Sequence, residues 1–483
     1  MRRLLIVLLL ALAAAVPATA ALAAPTTTTA AVGAPTTWDP RLQPIASKVA
    51  ELRGLEFDHA VPAEFLTDAA FEKKVAVDKG KLSKQDKREI ERAQGQLRAV
   101  GLIGPDVDIV DALSSLQTSG VLAYYNPKTK KITVKGTTTD DVATRVTLAH
   151  ELTHALQDQH FDLQKLQKAA TKAQASTPLR TLVEGDAVRI QQAYVDSLSP
   201  TDQDAYHSEQ ATKGVTARAE IAAKGVPETL SVLFEAPYDL GQTMLDAVIA
   251  KEKVAGVDAL FANPPTADAA FLTPSTLLEH RVFTEVDPPA LTKGERASGK
   301  PDVFGAFALY QILASRLSPG VALTAADAWG GDAMVTFTRK GTTCLRSSFV
   351  GKTPDGTRSI GDALSQWATQ MPAGAARVET QQDRVTLTAC DPGAAATEAP
   401  NRALQALVFA GSRDGLFAEV LKQGLSVAVA TCTADTLVRD PAFTPLIDRA
   451  TNDPSASPDV AAFGAVRARA PEILSDCVAS APV

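Results

Sequence analysis

Cysteine is absent until residue 344, and all four cysteines, Cys344, Cys390, Cys432 and Cys477, lie in the C-terminal third. None stands near the N-terminus to carry a lipid anchor. Histidine is scarce, with six in 483 residues. No cluster of lysine and arginine stands out, and formal charge is −7. With Arg2 and Arg3 removed, 46 basic residues face 55 acidic ones, a charge of −9. That balance excludes nucleic acid as a partner. After the N-terminal stretch no apolar run reaches the ~20 residues that a bilayer span needs. No solenoid-like repeat is visible.

What is there begins with Met1-Arg2-Arg3 followed by LLIVLLLALAAAV and the small residues Ala21-Leu22-Ala23. A charged start, a short apolar run and small residues read as a secretory signal peptide, cut near Ala20 or Ala23. The expected product is exported, with no stable membrane insertion after cleavage. The next stretch, to residue 38, is rich in Thr, Ala and Pro, and reads as a flexible linker. In an exported chain an even cysteine count points to disulfides. Sequential pairing, Cys344–Cys390 and Cys432–Cys477, is the simplest of three possibilities.

Residues 41–117 carry helical patterns broken by RGLEFDHAVPAEFLT. GVLAYYNPKTKKITVKG (120–136) reads as a hairpin around Asn126-Pro127. A helix follows, capped by Thr139 or Asp140, with Val142, Leu148, Leu152 and Leu156 apolar. Asp140 and Asp141 suit its positive end. Further helices are expected at 178–197, about 226–255 and 303–317. Strands are expected at AMVTFTRKG, CLRSSFVG, AARVET and DRVTLTAC, with a helix near SIGDALSQWATQM among them. The remainder is alanine-rich and helical.

Three of the six histidines fall in HELTHALQDQH, residues 150–160. Residues four apart share a helix face, so His150 and His154 can both reach one ion at Zn–N distances of about 2.0–2.1 Å. Glu151 sits one residue round, placed to take a proton from a metal-bound water. This is the HExxH arrangement of zinc peptidases. With no cysteine before Cys344, latency by a cysteine switch is excluded.

The third ligand is open on these residues alone. His160 follows His154 by six, the spacing of metzincins, where a glycine breaks the helix so that the chain doubles back. Here that place holds Gln157, a good helix former. An unbroken helix turns ~600° over six residues and points His160 away. Glu184, in TLVEGDAVRIQQAY on the next helix, would complete a His₂Glu set and leave a place for water. Gly185 beside it permits the two helices to approach. Asp158, Asp162 and Asp186 compete.

TLAHELTHALQDQHFDL followed by LVEGDA resembles a group of exported bacterial zincin-like proteins, mostly known as hypothetical metallopeptidases. The likeness extends to RGLEFDHAVPAEFL and YYNPKTKKITV upstream, and to PYDLGQTMLDAV, VDALFANPPT and AWGGDAMVTF downstream, roughly residues 49–350. It implies that the Glu of EGDA, Glu184, is the third ligand, and that the fold is gluzincin-like: hairpin, metal helix, Glu helix. A His-Pro pair follows the NPP block in that group. This chain has Thr273-Pro274, so if that histidine helps catalysis in the group, this chain lacks it. Tyr194, Tyr238 and His280 are the alternatives as oxyanion donors, each weighed against a plain structural role.

The expected protein is α+β and mostly helical. It comprises a signal peptide (1–23), a linker (24–38), a zincin-like metallopeptidase domain (39–320), a small disulfide-containing α+β module (321–395) and a helical C-terminal region (396–483). The expected activity is that of a secreted zinc endopeptidase acting on peptide or protein substrates. His150, His154 and Glu184 hold Zn2+ and Glu151 is catalytic. The rival reading is an inactive zinc-binding cell-envelope interaction protein on the same scaffold; a third is a metzincin using His160.

Overall fold

The computed structural model describes residues 37–75, 79–118, 121–398, 402–452 and 459–481. The expected signal peptide, and the linker up to residue 36, lie outside the described residues. The described chain is mostly helical, with two small sheets and two disulfides.

The first sheet and three helices frame the HExxH stretch. Helix α1 (Gln43–Arg53) is followed by strand β1 (Ala63–Leu66) and then by the expected hairpin, β2 (Ala123–Asn126) and β3 (Lys131–Lys135). Strand β1 falls in RGLEFDHAVPAEFLT, which reads only as a break in the helical pattern. It pairs parallel with β3, while β2 pairs antiparallel with β3. The order β1-β3-β2 leaves β2 at an edge. Lys135 N–H donates to the Leu122 carbonyl, so backbone groups at 122, 124 and 126 turn toward β3. Ala123 and Tyr125 therefore present theirs on the free side.

Helix α2 (Val142–Phe161) carries the motif. Its cap is Asp141, whose carboxylate accepts the Thr144 N–H at 2.9 Å, rather than Thr139 or Asp140. The cap is the last residue with extended backbone before the helix, and only that residue's side chain turns back onto the first turn. Leu148, Leu152 and Leu156 are fully buried, as their spacing requires. The helix ends only at Asp162, in left-handed conformation with φ 52°. Gln157 lies inside it, so no break precedes His160.

Helix α3 (Ser176–Asp196) packs against α2, and α4 (Glu228–Ala262) packs against α3. Gly185 serves the second of these contacts. A Cβ there would lie 2.4 Å from the Gly241 carbonyl carbon, and one on Gly241 would lie 2.4 Å from the Thr181 oxygen. The glycine beside Glu184 thus admits α4, and not α2 as its position in the sequence suggested. Helix α4 is interrupted at Lys253 (φ 63°), close to its expected end at 255.

The second sheet runs β4 (Glu295–Ala297), β5 (Trp329–Arg339), β6 (Thr342–Gly351), β8 (Val385–Cys390) and β7 (Ala376–Thr380) in spatial order. Helix α5 (Ala306–Ala314) precedes the sheet's long strands, and α6 (Pro354–Thr369) packs on it. Cys344 and Cys390 stand opposite one another on β6 and β8 and are bonded. Helices α7 (Ala403–Lys422), α8 (Val427–Arg439) and α9 (Val460–Ser480) follow, and Cys432–Cys477 ties α8 to α9. Both links are the sequential ones. One apolar core runs from Ala93 through Trp367 to Ala410, and a second, around α2, includes Leu148, Leu152 and Tyr194. Among the described residues no helix is long and apolar enough to cross a membrane.

Candidate metal centre

His150 and His154 meet on the inward face of α2, with their Nε2 atoms 3.0 Å apart. Glu184, from α3, places Oε2 at 3.4 Å from His150 Nε2 and 3.3 Å from His154 Nε2. Three atoms at ~2.0–2.2 Å from one tetrahedral ion are separated from each other by about 3.3 Å. The triangle has the size of one face of a zinc coordination shell. These three residues are the one group among the described residues whose His, Cys, Asp and Glu ligand atoms converge in this way.

The donor set could hold a metal ion, and two of its atoms are left without a hydrogen-bond partner. Glu184 Oε2 and His150 Nδ1 are buried without a hydrogen-bond partner. Unsatisfied buried polar atoms cost about 1–3 kcal/mol each, so their persistence in a packed core needs a reason. Burial works against ionisation of Glu184, but His154 and His150 beside it hold its carboxyl well below the usual range. Burial also opposes charge on His154, yet Glu184 raises that imidazole to about 9.

His154 is oriented by a residue that sequence reading took only as a helix former. Gln157, three residues on and therefore on the same face, brings Oε1 to 3.0 Å from His154 Nδ1. Its Nε2 donates to the Val183 carbonyl at 3.0 Å and to Asp186 Oδ2 at 3.1 Å. Two acceptors fix which end of the amide is nitrogen. Oε1 is then the acceptor, His154 Nδ1 holds its proton, and Nε2 is the nitrogen that gives up its proton to meet a metal. Asp186, fully buried, also accepts from Arg53 Nε at 2.9 Å and from Arg189 at 2.9 Å. Nothing in the sequence pointed to Arg53.

Glu151 is buried beside the cluster and accepts the Tyr125 backbone N–H at 2.6 Å. That N–H is one of the free-edge groups of β2. Burial raises the Glu151 carboxyl above its ordinary range, partly offset by His150 and His154.

The rival ligands are occupied elsewhere. His160 is exposed, with Nε2 at 2.7 Å from the Glu56 carbonyl. Asp158 accepts from Tyr125 Oη and Lys130 Nζ, both at 2.7 Å. Asp162 caps the following helix at Lys165. Of the three oxyanion alternatives only Tyr238 lies against the cluster. Its ring stacks on that of His150, centroids 6.1 Å apart and planes at 27°. The Arg180 guanidinium sits 5.6 Å from the same ring, with Nε 3.9 Å from Glu184 Oε1. Burial and the neighbouring Glu184 push the Tyr238 phenol up, so it keeps its proton. Tyr194 packs in the core around α2, and His280 lines a separate cavity of about 730 Å³ with Phe283 and Trp329. Thr273 donates to Asp327 at 2.7 Å.

Comparison with known proteins finds no matching family model, no matching curated protein and no matching solved structure.

Proposed function

We propose that the chain is a zinc-dependent peptidase of gluzincin type, with His150, His154 and Glu184 as ligands and Glu151 as general base. The observation that carries this reading is the triangle of 3.0, 3.3 and 3.4 Å beside a buried carboxylate that is not part of it. Zinc bound there would polarise a peptide carbonyl and bring the pKa of a bound water near 7. The protein's own groups supply the rest. Glu151 takes the proton of the attacking water, from a position beside the ligands and outside the triangle. Tyr238 Oη, protonated and beside the cluster, donates to the oxygen on which negative charge develops. The free edge of β2 offers the Ala123 backbone and the Tyr125 carbonyl to an extended peptide. The two disulfides are compatible with the exported location read from the N-terminus.

The test is Glu151→Gln. Glutamine keeps the shape and still accepts the Tyr125 N–H, but it cannot take a proton. Peptide or casein hydrolysis should fall at least ~100-fold while zinc content and melting temperature hold. Wild-type protein that holds zinc yet hydrolyses no peptide would replace this reading with the inactive binding protein. Loss of zinc in Glu151→Gln would make Glu151 a ligand.

A further inference from the structure

The two histidines of the centre are held differently. His150 has no partner on Nδ1, and its ring rests on Tyr238. His154 begins a chain of hydrogen bonds that crosses three helices: His154 Nδ1 to Gln157 Oε1, Gln157 Nε2 to Asp186 Oδ2, and Arg53 Nε to Asp186 Oδ2. Arg53 is 1% exposed, and its Nη2 continues to Asp258 on α4 at 2.6 Å. Every link is between 2.6 and 3.1 Å.

We infer that Gln157, Asp186 and Arg53 are positioning residues for the metal, and that α1 is therefore a built-in part of the metal centre rather than a removable leader. The inference rests on the zinc reading above. A fixed amide oxygen on Nδ1 selects the imidazole tautomer whose Nε2 can bind a metal, and it stops the ring from turning. Asp186 fixes the amide in turn, because only an acceptor there keeps Nε2, and not Oε1, turned away from the histidine. Arg53 neutralises a carboxylate that is otherwise out of water. The connection spans 133 residues between Arg53 and Asp186, which is why no local pattern announces it.

Zinc affinity, measured by competition with a chromophoric chelator on the full chain, tests this without reference to hydrolysis. Gln157→Leu fills the space but offers no acceptor, and should weaken zinc binding by ~10–100-fold. Asp186→Asn can keep an oxygen toward Gln157 Nε2 and Arg53 Nε and gives up only the bond from Arg189, so it should hold zinc affinity to within about threefold of wild type. Asp186→Leu presents no acceptor and should weaken zinc as Gln157→Leu does. A purely structural role would leave zinc affinity equal in folded Asp186→Asn and Asp186→Leu. Arg53→Met should weaken zinc in the same direction as Gln157→Leu. Wild type that binds zinc with Gln157→Leu equally tight overturns this inference alone, as does Asp186→Asn no better than Asp186→Leu. Wild type with no zinc affinity overturns the metal reading and this one together.

Discussion

In two regions of this molecule a pair of buried carboxylates is treated in opposite ways. Near the second sheet, Asp332 accepts from Phe304 N–H at 2.7 Å, Gly305 N–H at 2.9 Å, Trp329 Nε1 at 2.9 Å and Ser347 Oγ at 3.2 Å. Asp268 accepts from Ala306 and Phe307 N–H at the start of α5, at 2.8 and 3.0 Å. Around α2, Glu151 has one backbone donor and Glu184 Oε2 has no hydrogen-bond partner. The first pair spends its oxygens on tying loops to a helix start. The second pair keeps oxygens free at a place where two histidines converge. In these two pairs the matched acids hold the fold, and the unmatched ones mark the candidate site.

The contrast can be broken most sharply at Asp332. Asp332→Ala strips four buried donors of their acceptor, at about 1–3 kcal/mol each, so a loss on the order of 5 kcal/mol is expected in denaturant unfolding. Glu184→Ala, compared in a chelator, removes a carboxylate that His150 and His154 stabilise but on whose Oε2 no hydrogen-bond donor depends. It should cost less than Asp332→Ala, on the order of 2 kcal/mol. Equal losses in the two variants would erase the distinction.

The staples sharpen it further. The disulfides close loops with sequence separations of 46 and 45 and lie in the C-terminal third. In the chain-entropy model each stabilises by about 4 kcal/mol. Reducing them should lower the unfolding midpoint yet leave zinc content unchanged, because neither touches α2 or α3. Loss of zinc on mild reduction would show that the two regions are not independent.

The smallest expected effect is on pH dependence. Burial holds Asp268 at about 7 and Asp332 at about 6, against their backbone donors, whereas in the unfolded chain both ionise near ~3.9. The folded state binds the extra protons, so this contribution is complete below the unfolded value and is lost as pH rises through 6 and 7. Glu184, held low, contributes the other way: its stabilisation is present above the unfolded value and lost as pH falls through its depressed one. Asp268→Asn should therefore flatten the decline in melting temperature between pH 5 and 8, while Glu184→Gln leaves that slope in place. A slope unchanged in Asp268→Asn would refute the assignment.

How much of this the sequence disclosed depended on distance along the chain. The helix of His150 and His154 was legible because its leucines and histidines repeat locally, and the hairpin because Asn126-Pro127 divides two β-rich arms. Gln157 was rightly read as keeping the helix intact, which turned His160 outward to Glu56. Its second role, on His154, was within reach of the same i, i+3 rule but was not drawn. The helix cap falls one or two residues past the expected Thr139 or Asp140 because Thr139, Asp140 and Asp141 all have capping chemistry. Strand β1 was missed because four residues carry too little alternation, and its identity comes from pairing with β3. By spacing Glu184 is only slightly favoured over Asp186. Which one faces the histidines is decided by α3 packing between α2 and α4, with Gly185 seated on Gly241. Arg53 had no local signal at all.

The central claim is that three residues, and not His160, hold one metal. Elemental analysis of purified wild type, His154→Ala, Glu184→Ala and His160→Ala tests it most directly. The account predicts about one zinc per chain in wild type and in His160→Ala, and none in the other two. Zinc retained in Glu184→Ala and lost in His160→Ala would contradict it.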